Sequence, residues 1–103
     1  MTAPIVIAGG EVHDGSGKPP IAADLLIAGD RIAAVGGFER PADVRVVDAR
    51  GLVVAPGFID VHSHSDYTLL VDPRAVSAIL QGVTLEIVGN CGHGCAPIGN
   101  VQL

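Results

Sequence analysis

Two apolar, strand-like runs at residues 58–61 and 83–88 each end in residues able to bind a metal, and helix signals lie between them. Strand, helix, strand is a βαβ unit with a parallel pair, because a crossover of this length returns the chain in the same direction. The first run belongs to Pro56-Gly57-Phe58-Ile59-Asp60-Val61-His62-Ser63-His64. Side chains alternate along a strand, so His62 and His64 are expected on one face, about 7 Å apart, with Ser63 turned away. Two neutral imidazoles so placed can converge on one divalent ion. The competing reading is two strand histidines that merely titrate near neutrality. Between the runs, residues 72–82 read as a helix, with Asp72 as N-cap, Pro73 at the first helical position and Gly82 as C-terminal cap. The second run leads into Gly89-Asn90-Cys91-Gly92. Ligands gather at the carboxyl ends of parallel strands, so a histidine pair and a thiol would meet on one edge of the sheet.

Upstream, residues 5–54 read differently. Short runs such as Ile5-Val6-Ile7, Glu11-Val12-His13, 23–28, 31–35, 44–47 and 52–54 are separated by Gly, Pro and Asp punctuation. Gly29-Asp30 between two of them predicts a tight hairpin. Closely spaced strands of this kind indicate a small β-sandwich or partial barrel. The chain thus divides into a β-rich part, 1–54, and a part that opens α/β, 55–103. Half of the 103 residues are hydrophobic (49%) but only 3% are aromatic, so any core must be built from Val, Ile, Leu and Ala.

Charge removes several functional classes. Eleven acidic against six basic residues give a net charge of −5, and Lys18 is the sole lysine. Nucleic-acid binding and anionic membrane binding both need a basic patch that this sequence lacks. No run approaches the roughly 18 apolar residues of a membrane helix, and the first residues carry no basic leader, so a soluble, cytoplasmic protein is expected. The two cysteines, Cys91 and Cys95, are too few and too close for a secreted disulfide framework; a reducing compartment fits better.

Cys91 taken alone reads as a small buried hydrophobe, as most free cysteines do. Its place after a strand neighbouring His62 and His64 makes it a metal-ligand candidate instead, and Gly89 and Gly92 let the backbone pass close to a metal or substrate. Asp66 has three readings: a contact to a substrate amine, an acceptor orienting a ligating imidazole, or a solvated loop residue. Cys91-Gly92-His93-Gly94-Cys95 superficially looks like a metal knuckle, but structural zinc sites need a second, distant ligand pair, so a self-contained site there ranks low. His13 reads as a surface strand residue.

The run Asp24 to Gly36 around Leu25-Leu26-Ile27-Ala28-Gly29-Asp30-Arg31, then Val47-Asp48-Ala49 and Val54-Ala55-Pro56-Gly57-Phe58-Ile59-Asp60-Val61-His62-Ser63-His64, resembles the N-terminal part of the amidohydrolase superfamily. Asp14-Gly15-Ser16-Gly17, Pro19-Pro20, Ser65-Asp66 and Gly82-Val83-Thr84 leading to Gly89-Asn90-Cys91-Gly92 resemble its N-acyl-D-amino-acid deacylase branch; the last element is the narrower discriminator. The resemblance covers essentially the whole chain. It implies a small β-sandwich joined to a (β/α)8 barrel, of which only the first βαβ unit falls within this sequence. It implies one or two zinc ions, with His62 and His64 on one metal and Cys91 in the bridging or zinc-holding place that a modified lysine fills in other members. Asp66 and Asn90 become substrate or outer-shell candidates. The implied reaction is hydrolysis of the amide of an N-acyl-D-amino acid by metal-activated water, a hydrolase activity on carbon–nitrogen bonds other than peptide bonds.

The general base and further histidine ligands are expected beyond Leu103, so the 103 residues alone are expected to be inactive. Unpaired strand edges suggest homo-oligomers or segment exchange. The competing functions are another cyclic-amide hydrolase or deaminase, which shares the histidine pair without needing Cys91, and a non-catalytic β-rich binding or assembly module.

Overall fold

A computed structural model of the chain describes residues 3–95, which cluster into two compact units, Met1–Pro56 and Gly57–Leu103. The first unit is one five-stranded mixed sheet. Its strands are β1 (Ile5–Val12), β2 (Ile21–Ala28), β3 (Arg31–Val35), β4 (Arg45–Asp48) and β5 (Val53–Val54). The order is β3-β2-β1-β4, and β5 also pairs with β1. Strand β1 is therefore the axis: antiparallel to β2 and parallel to both β4 and β5.

The sequence reads two short strands interrupted at Gly9-Gly10, whereas the structure has one long β1 with a register shift between Ile7 and Gly10. The irregularity is held by Asp24, which accepts the Gly9 N–H at 2.9 Å and the Arg40 guanidinium at 2.6 Å. A bulge satisfied by a side chain lets the strand continue where a turn was expected. The Gly29-Asp30 hairpin is present, with Ala28 opposite Arg31. Only Gly29 has positive φ, 62°, as the first position of a type II′ turn requires.

The core of this unit is small: Val6 is fully buried, and Val12, Leu25 and Ala49 nearly so. The described residues of this unit form a single sheet. Its apolar face carries a groove of about 500 Å³ lined by Val12, Ile21, Leu25, Ile32, Val35 and Val54, among others.

The second unit pairs β6 (Phe58–Asp60) with β7 (Val83–Glu86) in parallel. Pro56-Gly57 leads into this pair for a steric reason, since a Cβ at Gly57 would overlap the Thr84 side chain. The crossover differs from the single helix expected over 72–82. It contains α1 (Ser65–Val71) and the one-turn α2 (Val76–Ile79). Asp72 is not the N-cap of the following helix, which Ala75 is; it is the C-cap of α1, extended at φ −132° and ψ 94°, and its N–H donates to the Thr68 carbonyl. A residue before proline is pushed out of the helical region, and this one ends a helix as a result. Its carboxylate accepts the Arg74 backbone N–H and guanidinium, wrapping around Pro73. Helix α2 then starts after Ala75, which sits at φ 48° and ψ 37° with no side-chain cap. Gly82 does stop the crossover, at φ 82°, with its N–H donated to Ile79. Among the described residues, no helix is long and apolar enough to cross a membrane.

Three outcomes test this description. Val6→Ala is expected to destabilise the first unit by about 2 kcal/mol in chemical denaturation, since the fully buried side chain leaves a cavity. Ala75→Gly is expected to stabilise by roughly 0.5–1 kcal/mol, because glycine removes the left-handed strain at that position. Asp24 is held below its ordinary value of 3.8 by the Arg40 hydrogen bond and then by the Gly9 N–H. A depressed carboxyl contributes stability above its unfolded value and loses it as pH falls through the folded one. The stability advantage of the wild type over Asp24→Asn should therefore be full near neutrality and shrink once pH drops below 3.8, as read by urea denaturation at several pH values.

Candidate metal centre

His62 and His64 do not project from a regular strand. Strand β6 ends at Asp60, whose carboxylate folds back to accept the His62 N–H at 3.0 Å. Ile87 donates its N–H to the Asp60 carbonyl and accepts the Ser63 N–H. A regular parallel ladder would use residue 62 there, so the edge carries one residue more than its partner. Such insertions re-aim side chains. The two imidazoles consequently meet edge to face, with ring centroids 5.5 Å apart, closer than the 7 Å that regular strand alternation implies.

Cys91 arrives from the far end of β7. Residues Asn90–Gly92 form a 3-10 turn in which Cys91 itself is left-handed, at φ 58° and ψ 21°. Gly89 and Gly92, at φ 83° and 71°, flank it. A non-glycine residue held there costs of order 1–3 kcal/mol and persists only where its surroundings enforce it. Here Asn90 does so, donating its side-chain N–H to the Ile87 carbonyl at 2.8 Å. That carbonyl is the one that also receives Ser63, so a single oxygen anchors both the histidine segment and the cysteine turn.

The result is a cluster in which one donor atom each from His62, His64 and Cys91 lie within 4.8 Å of one another, all three side chains being exposed. Cys91 Sγ stands 3.3 Å from His62 Nε2. Two such ligands on a tetrahedral zinc are separated by about 3.6 Å, so the pair needs almost no adjustment. Two imidazole nitrogens and a sulfur are a borderline-soft donor set that suits zinc over magnesium or calcium.

Asp66 is not a solvated loop residue. It lies in the first turn of α1, where its Oδ2 accepts the Cys95 N–H at 2.8 Å. That bond is the main cause of its lowered carboxyl pKa, while burial and then Asp66 push the Cys95 thiol upward. Its Oδ1 is shielded from solvent without a hydrogen-bond partner among the described residues. Asp66 thus ties α1 to the segment after Cys91 and stands outside the three-residue cluster. Of the Cys91-Gly92-His93-Gly94-Cys95 run only Cys91 joins that cluster; the His93 ring lies 6.2 Å from His64. His13, in the first unit, pairs with Glu11 at 2.9 Å.

Sequence reasoning passed over Glu86. Its carboxylate accepts the Ser65 hydroxyl at 2.6 Å and the Ser63 hydroxyl at 3.3 Å. The signal available was a lone acid in an apolar run, opposite serines that alternate with the histidines.

Comparison with known proteins places this geometry. The chain is 45% identical over 101 residues to an N-acyl-D-aspartate deacylase of Alcaligenes xylosoxydans xylosoxydans, covering 98% of this chain and 20% of that protein. Among solved structures it is similar to a D-aminoacylase described with a binuclear metal centre, at TM-score 0.83 and 44% identity over 91% of this chain and 20% of the other. It is equally similar, at TM-score 0.83 and 45% identity over 90% of this chain and 20% of the other, to an N-acyl-D-glutamate deacylase from Bordetella bronchiseptica. That enzyme was solved with zinc and a phosphonate mimic of the tetrahedral intermediate. The chain spans about a fifth of the length of these relatives. The sequence profile of the amidohydrolase family matches residues 45–98, more than half of the chain, and with the cluster of His62, His64 and Cys91 lying inside that stretch, this chain belongs to the amidohydrolase family.

Proposed function

We propose that this chain supplies the first metal ligands of a zinc-dependent hydrolase that cleaves the amide bond of N-acyl-D-amino acids. The observation that carries the reading is the convergence of two imidazoles and a thiol, from the ends of two neighbouring parallel strands, within 4.8 Å. The domain assignment follows: residues 1–54 contribute to a β-sandwich, and residues 55–103 open a (β/α)8 barrel whose first βαβ unit is β6, the crossover and β7. His62 and His64 hold one ion, and Cys91 holds that ion or bridges to a second. Zinc bound there supplies Lewis acidity and lowers the pKa of coordinated water towards ~7. The chain's own residues shape the site around it. Asn90 fixes the left-handed turn that presents the sulfur, and the Asp60 carboxylate fixes the bend that turns His62 towards it.

A histidine pair alone would also suit a deaminase or a cyclic-amide hydrolase. What favours a deacylase is Cys91, held in a strained conformation and aimed at His62.

Cobalt(II) is the direct probe, because a thiolate ligand gives a near-ultraviolet charge-transfer band. The chain is expected to bind cobalt with that band, and Cys91→Ala to lose the band and weaken binding by about 3 kcal/mol, a hundredfold. Absence of metal binding, or a band that survives Cys91→Ala, would overturn the assignment. Cys91→Gly should lose the metal equally yet be more stable than Cys91→Ala by about 1 kcal/mol in denaturant titration, since glycine accepts the left-handed turn. Substrate class is tested by exchange: an N-acyl-D-aspartate deacylase whose aligned segment is replaced by this chain should keep zinc-dependent turnover, and a folded, zinc-loaded but inactive chimera would count against it.

A further inference from the structure

We infer that Glu86 is a positioning residue for the metal centre, acting through Ser63 and Ser65 to hold the backbone that carries His62 and His64. The inference rests on the metal-centre reading above and deepens it.

The bend after β6 is poorly held by backbone alone. Among the described residues, the last cross-strand backbone bond on this edge is Ser63 N–H to the Ile87 carbonyl. His64 is the N-cap of α1 and makes no capping bond with its side chain. The ligand His64 thus lies past the last of these cross-strand bonds and has no capping bond of its own.

Glu86 fills that gap. It is the last residue of β7, in register with Asp60, so its carboxylate lies at the end of the strand pair where the bend begins. Each oxygen accepts one serine hydroxyl, Ser65 at 2.6 Å and Ser63 at 3.3 Å. The Ser65 bond has the short length of a charge-assisted O–H···O⁻ contact. The Ser63 hydroxyl oxygen also accepts the Ser65 N–H at 3.1 Å, which closes a ring spanning His64 on both sides. The serines alternate in sequence with the imidazoles. Pinning residues 63 and 65 therefore fixes the direction in which residue 64 leaves the chain.

A half-buried carboxylate in an apolar strand is costly unless its oxygens are satisfied. No cation pairs with Glu86 among the described residues, so the serine bonds are what offset that cost. Hydrogen-bond partners behind a metal ligand are typically worth 10–100-fold in metal affinity.

The experiment is cobalt(II) titration of the 103-residue chain, followed by the charge-transfer band, for the wild type, Glu86→Ala, Glu86→Gln, Ser65→Ala and the Glu86→Ala/Ser65→Ala double variant, each checked for folding by circular dichroism. Glu86→Ala is expected to weaken binding about tenfold. Glu86→Gln can accept from one serine and donate to the other, so it should stay within about threefold of the wild type. Ser65→Ala should weaken binding by about fivefold, and the double variant no more than Glu86→Ala alone, as members of one network do. A folded Glu86→Ala with wild-type affinity overturns the inference, as does additivity in the double variant. So does a Glu86→Gln as weak as Glu86→Ala, since charge alone would then be acting. If Glu86→Ala does not fold, Ser65→Ala and Glu86→Gln decide by the same criteria. A wild type that binds no cobalt overturns the metal-centre reading itself, and this inference with it; a wild type that binds while every variant matches it overturns only this one.

Discussion

The chemistry of this chain hangs on one carbonyl group. The Ile87 oxygen, just past the end of β7, accepts the Ser63 N–H from the histidine segment and the Asn90 side-chain N–H from the cysteine turn. Parallel pairing of β6 with β7 brings the two segments to the same edge, but pairing alone sets spacing only to the nearest strand, about 4.8 Å. Two bonds to one atom tie the two segments to each other more closely than that. Such closeness is what a metal with ligand distances of 2.0–2.3 Å requires.

Local departures from regular geometry do the rest, and each is stabilised by a side chain. The extra residue between Asp60 and Ser63 is compensated by the Asp60 carboxylate on the His62 N–H. The left-handed Cys91 is compensated by Asn90.

Much of this was legible in the sequence because it obeys period and punctuation. The two apolar runs, the parallel pair and the Gly29-Asp30 hairpin follow from strand patterning and turn residues; that His62, His64 and Cys91 share one edge follows from the parallel pair, whereas their close approach comes from the extra residue after Asp60 and the left-handed turn at Cys91. What was not legible depends on competition between partners. Asp72 carries the residue type of an N-cap, yet Ala75 turns left-handed before α2 begins and becomes its N-cap, so Asp72 closes α1 instead. Gly9-Gly10 carries the signature of a turn, yet Asp24, fourteen residues beyond Gly10, satisfies the distortion and the strand continues. Helix α1 was missed because the period of Tyr67, Leu69, Leu70 and Val71 is obscured by its brevity. Glu86 was missed because its role depends on serines more than twenty residues away in sequence.

With the cluster read as a zinc site, as proposed above, its three donors fit a reactive centre over a structural one. A structural zinc site closes its coordination with four protein ligands and is shielded, whereas a catalytic one keeps a position open to water and substrate. Here two imidazoles and a thiol converge from one edge of a two-stranded sheet, and His93 and Cys95, the nearest further donors in sequence, stand outside the cluster. Cys95 donates its backbone N–H to Asp66, and burial and then that carboxylate push its thiol pKa up. The same carboxylate, in the first turn of α1, thus ties that helix to the segment that follows Cys91.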